Sequence, residues 1–356
     1  MKITKIPGLG RFGVYIDDVD LKNITQEEWM EIGKIHLDSL VTVIRGNDID
    51  YLTYYKLIMQ WGPARWNRPI AFYEKYGKPL KEVVINNELD AEDLITFNNG
   101  RRWQIDKRCP GMIRVTPRKN TKGESLGAFA DGELFWHSNE CGDTAFTPGV
   151  ALMGWEDMKD TATGFCTSPD WYEKQTEAFR SELDDMIVVH NYRPNSVSPV
   201  VVEDQENFYR NNFSPEKDMR VPLIIRSPGG IKGVHVGANT FDRVEGMSKA
   251  DSEKLFEKIR AEMIVPEYTY DHWYETDKDI LLFDNSITLH NRSIHEKIGT
   301  APTRIGLRVQ YDFDSLTGEK YSPFYQEEFN QTKFKRIDVL EKALEGSVIP
   351  RILTEQ

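Results

Sequence analysis

Apolar residues recur along this chain with two periods, one near four residues and one of two, and each marks a different kind of element. Thr25-Gln-Glu-Glu28 has the form of a capping box, and Trp29, Ile32 and Ile35 follow it at helical spacing, so a helix is predicted to open there. Leu40–Ile44 (LVTVI) is apolar and largely β-branched, the composition of a buried strand. A second helix is predicted from about Asp50 to Gly62, a residue type that tolerates the left-handed turn ending many helices. Residues 66–135 mix short apolar runs (Val83–Ile85, Met112–Val115) with turn residues and read as loops and short strands. Helical spacing returns at 170–186 and at 249–264, where Ser248 and Asp251 form a second capping box and Leu255, Ile259 and Met263 recur every four residues. Strands are predicted at Val221–Ile225, Gly233–Gly237, Asp279–Asp284 and Arg304–Tyr311. Helices at the front and as insertions, with short strands spread from 40 to 313, imply a sandwich or jelly roll with helical cover.

A doubly wound nucleotide-binding sheet is excluded by the same pattern. Gly8-Leu-Gly10-Arg-Phe-Gly13 matches GxGxxG, but a dinucleotide site needs a helix opening at the last glycine. Here strand-like Val14–Ile16 follows, so a glycine-rich turn between two strands is the expectation. Composition narrows the partners. The chain of 356 residues carries a net charge of -12, which argues against nucleic acid. Its hydrophobic fraction of 39% supplies a sizeable core, yet no apolar run approaches membrane-spanning length. Cys109, Cys141 and Cys166 are too few and too far apart for a disulfide framework or a zinc ribbon. With no apolar core of signal-peptide length near residue 1, a cytoplasmic location is expected.

Candidate chemistry lies with the seven histidines. His36 falls on the first predicted helix, His190 follows an apolar run, His235 sits in a strand-like stretch, and His272 lies among aromatic residues. Packing explains each of these. His137 differs, because it ends an aromatic strand and is followed by polar groups (Glu133-Leu-Phe-Trp-His-Ser-Asn-Glu140). His290 ends Leu281-Leu-Phe-Asp-Asn-Ser-Ile-Thr-Leu-His290, a buried strand running into a loop. Arg304-Ile-Gly-Leu-Arg308 comes next, and alternation puts Arg304, Gly306 and Arg308 on one strand face as an anion site. Two histidines, one carboxylate and an anion-binding arginine are the parts of a facial-triad Fe(II) site that chelates a keto acid.

These segments resemble the taurine dioxygenase (TauD/TfdA) family of Fe(II)/2-oxoglutarate-dependent oxygenases. The likeness covers LKNITQEEWMEIGKIHLDSLVTVIRG, FWHSNE, VPLIIRSPGGIKGVHVGANTF, DILLFDNSITLH and RIGLR, and so most of the chain. It implies a double-stranded β-helix (jelly roll) in a single domain. That domain would hold strand and helix units at 1–65, an insertion at 168–220, core strands to about 313 and an extension over 314–356. It also implies Fe(II) held by His137 and His290, with 2-oxoglutarate and O2 as cosubstrates. Arg308 corresponds to the arginine that pairs with the distal carboxylate, Arg304 to a neighbour nearer the keto-acid end. Thr163 matches a carboxylate-supporting threonine best, and Thr161 second. The Asp-Asn-x-x-x-x-His pattern favours His290 over His295 as the ligand.

One departure stands out. Asn139 occupies the third ligand position, with Glu140 beside it. Strand alternation turns 139 toward the metal, whereas an anionic Glu140 is the better Fe(II) ligand and a bulge would bring it round. A third alternative leaves both unbound, as in halogenating relatives or in a jelly roll that has lost catalysis and only binds. The expected partner is a small polar molecule, an amine or amino acid, contacted by Glu133 (with Asp131) and by Phe241 in the stretch Asn239–Phe241. A homo-oligomer is expected from the resemblance alone.

Overall fold

The computed structural model describes residues 1–62, 64, 75–78, 82–83, 86–91, 108–109, 111–123, 125–127, 133–141, 146–190, 219–238, 240–292, 303–319 and 321. In chain order these form β1 (Lys2–Lys5), β2 (Val14–Asp17), α1 (Gln26–Ser39), β3 (Val41–Ile44), α2 (Tyr51–Met59), β4 (Ile113–Val115) and β5 (Leu134–His137). Then come β6 (Gly149–Glu156), β7 (Ala162–Thr167), α3 (Pro169–Lys174), α4 (Glu177–Asp185), β8 (Ile187–His190), β9 (Met219–Pro222), β10 (Ile224–Arg226) and β11 (Lys232–Val234). The last group is β12 (Phe241–Val244), α5 (Lys249–Met263), β13 (Thr269–Trp273), β14 (Ile280–Asp284), β15 (Thr288–Arg292), β16 (Ile305–Tyr311) and α6 (Asp314–Thr317). The protein is mainly β with helices, as the pattern of short strands implies.

Two sheets frame the interior. The larger runs β1-β2-β3-β14-β6-β16-β4, and the smaller runs β13-β7-β15-β5. Strands β3 and β14 are buried at every position, which explains their largely apolar sequence, broken only by Thr42 and the terminal Asp284. Along β16 the alternation is functional. Ile305, Leu307, Val309 and Tyr311 join the core beneath α1 and α2, while Gly306 and Arg308 turn to a cavity between the sheets. A separate core gathers α5, β8, β12 and neighbouring strands around Phe241, Phe256 and Leu183. The remaining sheets are β12-β8-β9 and β10-β11.

Local chemistry sets the helix boundaries. Thr25 accepts from the Glu28 amide and the Glu28 carboxylate takes the Thr25 N–H at 2.9 Å, the predicted capping box. Ser248 caps α5 by accepting from the Asp251 amide at 3.1 Å, and its hydroxyl donates to the Asp251 carboxylate at 2.7 Å. Three expectations need correction. The pattern over 170–186 is not one helix, because Gln175 is extended and Thr176 begins a new cap, separating α3 from α4. Helix α2 ends before Gly62, which takes no left-handed conformation. A Cβ there would lie 1.9 Å from the Asp312 carbonyl, so close backbone approach selects the glycine. Val221–Ile225 likewise divides between β9 and β10, in two different sheets.

Gly8, Gly10 and Gly13 all have positive φ and form the turn that lets β1 and β2 pair antiparallel. No disulfide joins the three cysteines. Among the described residues no helix is long and apolar enough to cross a membrane. Residues 191–218 of the expected insertion and 322–356 of the expected extension lie outside the described residues, as do Asp131, Asn239 and His295.

Candidate active site

Strands β5 and β15 pair antiparallel, and their register sets His290 directly opposite His137. The two imidazole rings stand 4.2 Å apart between centroids. Aromatic strand residues explain the first position, since Leu134–Trp136 carry β5 into the smaller sheet and His137 closes it. The second follows from a tight turn after β14, where Asp284 accepts from the amides of Ser286 and Ile287 before β15 begins. His137 is buried and His290 partly buried, and desolvation drives both toward the neutral form. His137 is lowered to about 4, chiefly by desolvation, with Arg308 and Arg292 adding cationic repulsion. His290 falls well below its usual range from burial, from His137 and from Arg308. The Nδ1–H of His137 donates to the Phe135 carbonyl at 2.6 Å, which fixes the tautomer and leaves Nε2 with its lone pair. Nδ1 of His290 is buried with no hydrogen-bond partner.

The pair lines a cavity of about 710 Å³, mouth included, between the two sheets. Arg292, Arg304 and Arg308 line it together with Asn139, Thr161, Thr163 and an apolar set that includes Leu134, Leu152, Met158 and Phe283. The position expected to supply a third ligand offers two unlike side chains. Asn139 is buried and lines the cavity. Glu140 sits in left-handed backbone (φ 56°) and does not line it. Its carboxylate accepts from the Gln310 amide at 3.4 Å, and Arg308 donates to the Gln310 side-chain oxygen. Among the described residues no third His, Cys, Asp or Glu joins the histidine pair.

Asn285 holds this loop in place. Its side chain accepts from the Asn139 amide at 2.8 Å and donates to the carbonyls of Asn139 (2.8 Å) and Thr147 (2.9 Å). The Ser138 hydroxyl donates to the Asn285 carbonyl at 2.6 Å. The turn preceding one histidine thus fixes the backbone following the other.

Comparison with known proteins gives this arrangement a family. The model of the "Taurine catabolism dioxygenase TauD, TfdA family" matches residues 3–310. The chain belongs to the TauD, TfdA family. Members are oxidoreductases that use Fe(II), 2-oxoglutarate and O2. An alkylsulfatase of Acinetobacter baylyi is 23% identical over 281 residues, covering 76% of this chain and 79% of its own. Pentalenolactone F synthase of Streptomyces arenae is 23% identical over 209 residues, covering 55% and 67%. Among solved structures, a taurine dioxygenase from Burkholderia xenovorans aligns with a TM-score of 0.59 at 16% identity, covering 87% of this chain and 89% of that one. AAD-2 in complex with Mn(II) and N-oxalylglycine aligns with a TM-score of 0.58 at 15% identity, covering 91% and 100%.

Within this TauD, TfdA-family chain the structure brings His137, Asn139, Thr161, Thr163, His290, Arg304 and Arg308 to one cavity. The Thr161 hydroxyl donates to the Met158 carbonyl at 2.7 Å, so Thr161 is tied to its own turn. The two residues expected at the substrate are placed elsewhere. Phe241 stacks on Phe256 at 4.3 Å in the second core, and partly exposed Glu133 does not line the cavity. Among the described residues the other histidines are packed: His36 lies against Trp61, His190 and His235 meet Thr240 and the Ser286 carbonyl, and His272 contacts Asp279 at 3.2 Å. Sequence reasoning passed over Asn285 and Arg292. The first was signalled by the Asp284-Asn285 turn, the second by its two-residue spacing from His290 on one strand.

Proposed function

We propose that this protein is an Fe(II)- and 2-oxoglutarate-dependent dioxygenase that hydroxylates, or otherwise oxidises, a C–H bond of a small polar substrate, releasing succinate and CO2. The facing pair of neutral imidazoles, His137 and His290, at the wall of an arginine-lined cavity carries the proposal. The two sheets flanking the cavity are read as the halves of a double-stranded β-helix. Donor chemistry supports the metal. Neutral imidazole suits Fe(II), and both histidines line the cavity. Asn139, which lines the cavity, is proposed as the third ligand through its amide oxygen, in preference to Glu140, whose carboxylate meets Gln310.

Iron bound with 2-oxoglutarate would supply the activation of O2. The chain's own residues do the rest. Phe135 holds the His137 ring in the tautomer that leaves Nε2 for the metal. Arg308 is proposed to hold the distal carboxylate of 2-oxoglutarate with Thr163 beside it, and Arg304 to orient the keto-acid end. Leu134, Leu152, Met158 and Phe283 keep water from the reacting centre. The test is succinate formation from 2-oxoglutarate with Fe(II) and O2. Wild type should form it, and His137→Ala and His290→Ala should not. Wild-type rates in either variant would show that histidine to be misassigned.

A further inference from the structure

Two anchors hold the turn that follows His137, and the first is Asn285, which bonds the backbone of Asn139. The second comes from Cys141. Its thiol lies 3.5 Å from Nε2 of His235, and both residues are buried. Nδ1 of His235 meets the Ser286 carbonyl at 2.7 Å. A carbonyl only accepts, so Nδ1 carries the hydrogen, and Nε2 is left to accept from the thiol. Burial pushes the Cys141 thiol up, which keeps it a donor. His235 is itself fixed. Its amide donates to the Leu223 carbonyl at 2.7 Å, where β9 gives way to β10, and Phe146 packs edge-on against its ring. Asn285 and Ser286 are neighbours in the turn before His290, so both anchors run to one point of the fold.

Glu140 lies between the anchors in left-handed backbone, φ 56°. A residue other than glycine keeps that conformation only where its surroundings over-determine it. What the strained turn decides is which side chain faces inward, since Asn139 lines the cavity and Glu140 does not. The Asn139 side chain does little to secure its own place. Its amide nitrogen is buried with no hydrogen-bond partner among the described residues, so the backbone on either side has to hold it. Resting on the oxygenase reading above, we propose that Cys141 and His235 are positioning residues for the metal site: their contact locks the turn in the register that sets Asn139 in the cavity and Glu140 outside it.

Cys141→Ala removes the thiol alone, Cys141→Ser keeps a donor there, and His235→Phe keeps a ring but loses both nitrogens. Two readouts separate positioning from plain stability. Cobalt(II) titrated into the metal-free protein gives an affinity and a d–d spectrum that reports the ligand set. Amide exchange in the metal-free protein compares opening at Asn139 with opening at Leu282, in the middle of β14. Cys141→Ala should weaken cobalt(II) binding about fivefold to tenfold, the worth of one hydrogen bond, and shift the d–d bands. It should also speed exchange at Asn139 well beyond any change at Leu282. Cys141→Ser should restore most of both. His235→Phe should do at least as much damage, and adding Cys141→Ala to it should weaken binding no further. If His235→Phe does not fold, the two Cys141 variants decide alone. Wild-type affinity and spectrum in Cys141→Ala overturn the proposal. So does exchange that rises equally at Asn139 and Leu282, the pattern of a contact that only stabilises. Failure of the wild type to bind cobalt(II) overturns both readings. A wild type that binds cobalt(II) but never 2-oxoglutarate, with the variants behaving as expected, would sustain the lock and sink the oxygenase reading. A wild type that binds both, with Cys141→Ala indistinguishable from it, sinks the lock alone.

Discussion

Replacing Asn285 by Ala tests whether the two histidine loops are joined as described. The substitution removes three buried hydrogen bonds with backbone groups, from the Asn139 amide and to the carbonyls of Asn139 and Thr147, together with a contact from the Ser138 hydroxyl at 3.2 Å, in a side chain with no exposure. A net bond contributes about 1 kcal/mol, and a buried group left unpaired costs about 1–3 kcal/mol, so three broken bonds come to roughly 3–9 kcal/mol. Total stability of a domain is about 5–15 kcal/mol, so the variant should be folded only marginally. Asn285→Asp is the sharper companion. It keeps the acceptor for the Asn139 amide but presents an oxygen to two carbonyls, so it should be at least as damaging as Ala. Urea unfolding at neutral pH measures both, with the midpoint shift converted through a common slope. Because Asn139 lies two residues from His137, metal affinity should fall in both variants at temperatures where they remain folded. A loss under about 1 kcal/mol in Asn285→Ala would refute the clamp, since it would mean that water or relaxation satisfies all three backbone groups.

Other outcomes follow from single residues. Arg308→Ala should weaken 2-oxoglutarate binding by about 2–5 kcal/mol, with Lys restoring only part, as measured by anaerobic titration; loss of Arg304 should lower turnover more than affinity. Burial lowers His36 from 6.5 to about 3, so below pH 6.5 the unfolded chain binds the proton and the folded chain does not. Stability should therefore fall as pH drops toward 4, and His36→Gln should remove up to ~1.4 kcal/mol per pH unit of that slope in urea titrations. Gly62→Ala forces a Cβ against the Asp312 carbonyl and should cost about 1–3 kcal/mol by thermal unfolding, whereas free accommodation would show that the backbone can part there.

Periodic signals survived folding best. The helix starts at Thr25 and Ser248 were legible because a cap is written within four residues. Arg304, Gly306 and Arg308 share the cavity face because strand alternation leaves no other choice once the opposite residues enter the core. Signals that depend on distant partners were not legible. Gly62 carries no sign that Asp312 will come within contact, and the break between α3 and α4 turns on the Thr176 cap. Phe241 illustrates the limit most clearly. Nothing local distinguishes a phenylalanine beside a ligand from one stacked on a helix, and Phe256 of α5 decides the matter. At the position expected to supply a third ligand, Asn139 reaches the cavity from the turn after β5, where alternation no longer applies, and the left-handed backbone at Glu140 had no sequence signature.

The most direct test of the central claim is an anaerobic titration of 2-oxoglutarate into the Fe(II)-loaded protein, followed by the visible charge-transfer absorption. Wild type should develop a saturable band at one equivalent per chain, and His290→Ala should develop none. A wild-type protein that stays colourless at saturating 2-oxoglutarate, or a His290→Ala variant with an undiminished band, would contradict the assignment of this cavity as an iron and 2-oxoglutarate site.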